Sequence, residues 1–261
     1  RQSFDSGILY NATLLRQNIT REAYTVPEWK TEGFSDIHRI GSGELMEALN
    51  EAISRYGLEE VVVWCRSNRR ANRYNKGIRG SILYREEEIT KGDRVMVVKN
   101  CYQFLEDVPD MDFIANGDIA EIMRIHKFRE RYGFRFAEAV LRFPDYKDVE
   151  LDVRLLLDTL ESESPALSRE QQQQLYQGVS EDYAHIKGKR KRYNAVREDL
   201  YLNALQVKYA NAVTCHKAQG GQWKTVFVDK AFFGDICNKD VLRWYYTAFT
   251  RAREQLYLVN L

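Results

Sequence analysis

Cysteine is scarce and scattered in this 261-residue chain. Its four copies, Cys65, Cys101, Cys215 and Cys237, include no C-x-x-C pair. Zinc ligation uses closely spaced pairs, so the spacing excludes a zinc site. The thiols read as reduced side chains of a cytoplasmic protein. Long apolar runs are missing too, which excludes a transmembrane helix and a membrane role, since a span needs about 20 such residues. No charged-then-apolar leader opens the chain, and Arg1 stands where Met would, as in a piece excised from a longer protein. Net charge is close to absent, +1 in a chain that is 30% charged, so the placement of charge matters more than its sum. Two chemical signatures are lacking as well. There is no G-x-x-x-x-G-K-[ST] phosphate loop, and no paired acidic motif follows a buried strand to hold Mg²⁺. His38, His126 and His185 show no ligand spacing and read as structural.

What is present suits a packed α/β protein. Hydrophobic residues make up 44% of the chain, enough for a substantial core. Ile8, Leu9, Ala12, Leu15 and Ile19 recur at helical spacing behind a cap at Asp5 or Ser6. Leu45 to Ile53 reads as a helix, and "EEVVVWC" as a buried strand of the parallel type. In "RSNRRANRYNKGIRGSIL", Ala71, Tyr74, Ile78 and Ile82 mark an amphipathic helix. Near Tyr84 the texture turns to β. "GDRVMVVKN" and "MDFIANGDIAEIMRI" read as strands, with Asn116-Gly117 as a hairpin signal, and "FRFAEAVLRF" continues the pattern, which predicts a small antiparallel barrel. "SREQ" has the form of a capping box from Ser168 to Gln171. After Leu205 the α/β texture returns: "ALQVKYANAVT" and "WKTVFVD" read as strands, "KDVLRWYYTAFTRA" as a helix, and "EQLYLVNL" as a closing strand. The fold class expected is an α/β parallel sheet with helices on both faces, interrupted by an inserted β-barrel module with a helical extension.

"TCHKAQGGQW" concentrates donors and glycines where a strand ends, the place where open α/β sheets bind ligands. Thr214, His216 and Lys217 can donate to phosphate oxygens, and Gly220 and Gly221 allow close approach or a positive φ. A tight turn with ordinary polar residues explains the same composition. Arg251 closes a helix, where it can cap the negative dipole end or offer its fork of donors to an anion. From Val61 to Tyr84 there is no acidic residue, while Arg66, Arg69, Arg70, Arg73, Lys76 and Arg79 are present. Ser67 and Asn68 fall at the N-terminus of that basic helix, a natural phosphate site. Trp64 and Tyr74 carry rings able to stack on bases, at positions whose pattern favours burial. "KGKRKR", Lys187 to Arg192, reads as a solvated loop, with a DNA contact or a partner site as alternatives.

"YANAVTCHKAQGGQW" followed by "YYTAFTRAREQLYLV" resembles motifs V and VI of superfamily 1 helicases, in the RecD-like branch that includes the exodeoxyribonuclease V alpha subunit. "RQSFDSGILYNATLLR" looks like the arginine-containing motif IV, and "GDRVMVVKN" with "FIANGDIAEI" is similar to that branch's SH3-like insertion. Residues 126–204 match no part of the pattern. The resemblance implies the second of two RecA-like domains, split into residues 1–84 and 205–261 around an inserted module at 85–204. It implies that ATP and Mg²⁺ are held mainly by an N-terminal RecA-like domain of the same protein, so that this half alone is inactive. Arg251 and Arg1 then match catalytic positions as arginine fingers, and Thr214, His216 and Lys217 match DNA-facing ones. Gly220, Gly221 and Gln222 fall on the nucleotide side, although many members carry glutamate where Gln222 stands. Beside them, Ser67, Asn68, Arg69 and Arg73 are the DNA-binding candidates of the basic helix. The implied function is an ATP-dependent helicase on single-stranded DNA, of 5′→3′ polarity, with a possible nuclease partner. The alternatives are a catalytically inactive nucleic-acid-binding module, against which the retained Arg251 speaks, or the helicase subunit of an exonuclease complex.

Overall fold

The computed structural model describes residues 5–105, 111–214, 221–230 and 237–261. In chain order the elements are α1 (Gly7–Thr20), β1 (Ile37–Ile40), α2 (Leu45–Tyr56), β2 (Val61–Cys65), α3 (Asn68–Gly77), β3 (Arg94–Val97), β4 (Ile119–Arg131), β5 (Phe134–Phe143), β6 (Val149–Leu156), α4 (Arg169–Asp182), α5 (Lys189–Glu198), β7 (Leu205–Tyr209), β8 (Ala212–Thr214), β9 (Trp223–Asp229), α6 (Lys239–Phe249) and β10 (Ala252–Val259). The chain divides into two compact units, residues 1–86 with 211–261, and residues 87–210.

The first unit is a parallel five-stranded sheet ordered β1-β10-β9-β2-β8. Every residue of β2 is buried, as expected of a central strand covered on both faces. Val61, Val63 and Cys65 point to one face, where Leu45 and Leu49 of α2 and Ala71 of α3 complete a core with Phe227. Successive strand side chains alternate, so Val62, Trp64, Leu256 and Leu258 serve the other face. There α1 packs on α6 and β10, and Trp29 sets its ring 4.9 Å from Phe249 and 5.3 Å from Tyr245. Ser6 caps α1, accepting from the Leu9 amide. Asp36 accepts from the Ser6 hydroxyl and the Gly7 amide, which neutralises the positive end of the helix with a carboxylate of the chain itself.

The second unit is a closed barrel, β3-β4-β5-β6-β7. Four of its seams are antiparallel and the fifth, β6 with β7, is parallel. A parallel pair needs a crossover, and α4 and α5 lie within it. Alternation along β5 shows how they attach. Ala137, Ala139, Leu141 and Phe143 face the barrel core, whereas Phe134 and Phe136 pack outward against Leu175 and Val179 of α4 and Val196 of α5. The Ser168–Gln171 capping box is formed.

Two sequence expectations are corrected. Asn116-Gly117 is not a two-residue hairpin loop; it lies at the end of the longer connection between the paired strands β3 and β4 and turns the chain between Ala115 and Asp118, whose amide donates to the Ala115 carbonyl at 3.1 Å. The two-residue hairpin is Tyr132-Gly133, flanked by the pair Arg131 and Phe134, with φ values of 56° and 77°. "ALQVKYANAVT" is not one strand of the parallel sheet. It breaks at Ala210 and Asn211, giving β7 to the barrel and only β8 to the parallel sheet. Both pieces are buried, the polar Gln206, Lys208 and Asn211 included, so no change of pattern announces the switch. The units meet the chain at 86/87 and 210/211, beside the 84/85 and 204/205 read from composition.

Among the described residues, no helix is long and apolar enough to cross a membrane. The buried Asn75 joins α3 to β8, donating to the Ala212 carbonyl and accepting from the Ala212 amide, both at 2.8 Å. Asn75→Leu keeps the heavy-atom count and branching of the side chain and strands both backbone groups. At about 1–3 kcal/mol for each unsatisfied group, the expected loss is about 2–5 kcal/mol, read as a lower urea midpoint with an unchanged slope.

Candidate nucleotide and nucleic-acid site

All five strands of the first unit run the same way, so their C-terminal ends share one edge and their N-terminal ends the other. β2 ends at Cys65, and Thr214 is its register partner at the end of β8. Thr214 therefore lies at the C-terminal edge, 8% exposed. Two residues beyond Cys65, Ser67 caps α3 in extended conformation and accepts from the Arg70 amide at 3.3 Å. This places Ser67 and Asn68 at a helix start with its dipole aimed outward at the same edge. Arg69 and Arg73, one helical turn apart, are exposed along α3, as are Arg66 and Lys76. A hollow of about 330 Å³ opens beside Arg73 and Tyr74, with Leu45 and Met46 in its wall.

The basic stretch is not uniform. Arg79 is buried, and Arg70 turns inward to the fully buried carboxylate of Asp229, the last residue of β9. Tyr74 donates to the same carboxylate at 3.0 Å. Burial, with the neighbouring Asp229 charge, pushes the Tyr74 phenol up to about 12. Partial burial pulls the Arg70 guanidinium down, but Tyr74 and Asp229 outweigh it and hold Arg70 above the ordinary value. Burial raises the Cys65 thiol well above its usual range, so it has no nucleophilic part to play. Trp64 is fully buried and Tyr74 is committed to Asp229; neither ring is presented as a stacking platform. Asp229 was missed in the sequence. Its signal is a carboxylate closing an apolar strand, "VFVD", opposite a helix rich in arginine.

The N-terminal edge carries the other group. Arg251 lies between α6 and β10, and its guanidinium donates to the Gly221 carbonyl at 3.3 Å and the Thr247 carbonyl at 3.4 Å. Both bonds are long, and the second caps the last turn of α6. The Arg251 carbonyl in turn accepts from the Trp223 amide at 2.9 Å. A Cβ on Gly221 would lie 2.5 Å from the Trp223 ring; close approach, not a positive φ, is what requires glycine here. Gln222 is exposed beside it. Elsewhere on this edge, Glu60 pairs with Arg253 and accepts from the Lys224 amide. Burial raises Glu60, and Arg253 with Lys224 brings it below the ordinary carboxylate range.

Thus Arg251, Gly221 and Gln222 are brought together at one edge, and Thr214, Ser67, Asn68, Arg69 and Arg73 at the other. Across a strand of five residues at about 3.3 Å each, the two edges are about 15–20 Å apart. Arg1, His216, Lys217 and Gly220 lie outside the described residues. Among the described residues no cluster of His, Cys, Asp and Glu could hold a metal ion.

Residues 209–259 match the UvrD-like helicase C-terminal domain. That segment runs from Tyr209, the last residue of β7, to the end of β10 and contains Thr214, Gly221, Gln222 and Arg251. No curated protein matches the chain. Solved structures with a similar arrangement include two coordinating Pif1 helicases at forked duplex DNA, 13% identical with a TM-score of 0.45, covering 95% of this chain and 46% of that one. Pif1 helicase from Bacteroides, solved with ADP-AlF3 and single-stranded DNA, is 10% identical at a TM-score of 0.36, covering 100% and 51%. Pif1 helicase from Candida albicans is 13% identical at 0.33, covering 97% and 53%. The chain spans about half the length of each.

The Asp229 cluster yields a pH prediction. The Tyr74 proton is held more tightly in the folded state, so its stabilisation is complete below the unfolded pKa of about 10. It is lost as pH rises from there to about 12. Tyr74→Phe has no proton to lose. The difference in urea stability between wild type and the variant should shrink between pH 10 and 12 and stay level between pH 7 and 9.

Proposed function

We propose that this chain is the second motor domain of an ATP-dependent DNA helicase of superfamily 1, in the RecD-like branch. The observation that carries the reading is the division of the helicase-like segment 209–259 between two edges of one sheet. Arg251 and Gly221 are paired at one edge, and Thr214 lies beside the helix start of Ser67 and Asn68 at the other. In this reading the parallel sheet is RecA-like and the barrel is the SH3-like insertion.

The chemistry follows from which groups each edge offers. ATP, with Mg²⁺, is bound mainly by an N-terminal RecA-like domain that supplies the phosphate loop and the acidic motif absent here. Docked against the Arg251 edge, its γ-phosphate draws the guanidinium away from two long carbonyl bonds, which are weak enough to exchange for charge-assisted ones. Arg251 then acts as an arginine finger, stabilising charge in phosphoryl transfer, an effect of about 10³–10⁵ in rate. Arg1 serves the same phosphate. Gly221 and Gln222 border the nucleotide, with Gln222 able to hydrogen-bond a hydroxyl without contributing charge. At the far edge, Thr214, Ser67 and Asn68 hold backbone phosphates of single-stranded DNA, and Arg69 and Arg73 add attraction that is independent of sequence and sensitive to salt. The segment from Thr214 to Gly221 couples the two, with His216 and Lys217 facing the DNA and Gly220 the nucleotide. Without its N-terminal partner the chain binds DNA weakly and does not hydrolyse ATP.

The test uses the protein that contains both motor domains. Single-stranded DNA should stimulate ATP hydrolysis in wild type, and Arg251→Ala should lower the stimulated rate by about 10³-fold or more with DNA affinity within a factor of two or so. Absence of stimulation in wild type, or an Arg251→Ala enzyme with near-normal turnover, would contradict the assignment.

A further inference from the structure

The helical pair on the barrel breaks a rule that the same unit elsewhere obeys. α4 begins with a formed capping box and Glu170 in its first turn, the arrangement a helix N-terminus favours. α5 begins the opposite way. Its N-cap is Gly188, at φ 101° and with no capping side chain, and its first turn holds no acidic residue. Instead Lys189, Arg190, Lys191 and Arg192 follow one another, all exposed. Cations at that end oppose the dipole and repel one another, and none has an ion pair among the described residues. Of the run Lys187 to Arg192 expected as a solvated loop, all six residues are exposed, but Lys189 to Arg192 are helical, on a helix whose Val196 is buried against the barrel.

Acidic groups nearby do not balance the charge. Asp182 is tied to Arg131 and Tyr132. Asp199 accepts from the Tyr183 hydroxyl and from the Tyr201 and Leu202 amides. Glu181 and Glu198 are what remains. Between α4 and α5 lies a cleft of about 820 Å³ lined by Lys189, Arg192 and Tyr193 of α5 and by Tyr176, Ser180 and the single carboxylate Glu181 of α4. Lys189, Arg192 and Tyr193 stand three and four residues apart, on one side of the helix. Tyr193 is 56% exposed and Tyr176 43%, large rings left in water beside unpaired cations. A locally unfavourable charge arrangement kept on a rigid platform marks a binding surface, and here its complement is anionic and flat.

We propose that the α4–α5 cleft is a second binding site for single-stranded nucleic acid. Lys189 to Arg192 and the amides of the α5 N-terminus take successive phosphates, and Tyr193 and Tyr176 stack on unpaired bases. Duplex phosphates would satisfy the cations and leave the rings idle; an acidic peptide would do the same. The site is in a different unit from Ser67 and Arg73 and does not depend on the motor assignment.

The experiment titrates the 261-residue chain with a fluorescent oligothymidylate across a range of salt, then photocrosslinks it to a 5-iodouracil oligonucleotide. The variant combines Lys189→Gln, Arg190→Gln, Lys191→Gln and Arg192→Gln; removing charge that opposes the helix dipole should leave its melting temperature equal or higher. Its log-log salt slope should be shallower by about 2–3, at about 0.7 per phosphate contact. Tyr193→Ala should weaken binding about ten-fold, and crosslinks should fall on Tyr176 or Tyr193. They should persist when Arg69 and Arg73 are both changed to Ala, which separates this site from the one on α3. An unchanged slope, crosslinks confined to residues 1–86 and 211–261, or equal competition by duplex DNA or polyglutamate would overturn the proposal.

Discussion

The constraint on which the first unit depends is that β8 and β9 run parallel on either side of β2. A chain leaving β8 at its C-terminal end can enter β9 only at the opposite edge. Thr214 and Trp223 are therefore held a strand length apart, and the segment between them links the two edges whatever its own conformation. The rest is arranged around that link. Gly221 is small because the Trp223 ring leaves no room for a Cβ, and that gap lets its carbonyl accept from Arg251. At the other edge, Asp229 ends β9 as a buried carboxylate and gathers Arg70 and Tyr74. Their capture fixes the rotation of α3 and leaves Arg66, Arg69, Arg73 and Lys76 outside.

The buried carboxylate and the exposed arginines are thus two halves of one arrangement. Burying a carboxylate is unfavourable unless it is paired, and Asp229 is paired on the helix that presents positive charge. Asn75 adds a second tie by satisfying both backbone groups of Ala212 at the start of β8. Helix α3 is in this way anchored to the two strands that flank β2, a rigid support for its exposed arginines.

Much of this was legible in the residues. The unbroken apolar strand "VVVWC", the spacing of Ala71, Tyr74 and Ile78, and the Ser168–Gln171 cap each have a local physical cause, and each formed. The α/β unit with an inserted barrel was readable from the change of texture near Tyr84. The exit from the barrel was not, because "ALQVKYANAVT" keeps the same mixture of apolar and polar residues, all buried, while passing from one sheet to the other. The true hairpin, Tyr132-Gly133, was hidden by tyrosine at a positive φ where asparagine is the usual signal. Of the candidate site, Arg251 and Gly221, which the resemblance assigns to the catalytic and nucleotide positions, are hydrogen-bonded neighbours in the structure. The inward turn of Arg70 and Arg79 could not be seen, because a basic stretch does not state which of its members find a buried partner.

In the proposed function, one edge of the sheet receives nucleic acid while the other is reserved for a nucleotide. Hydrogen exchange on the 261-residue chain, with and without single-stranded DNA, reads this directly at the level of backbone amides. Single-stranded DNA should add protection at residues 66–73, the start of α3, with no change at 221–223 and 250–252. Protection appearing at the Arg251 edge, or no change at the start of α3 under saturating DNA, would contradict it.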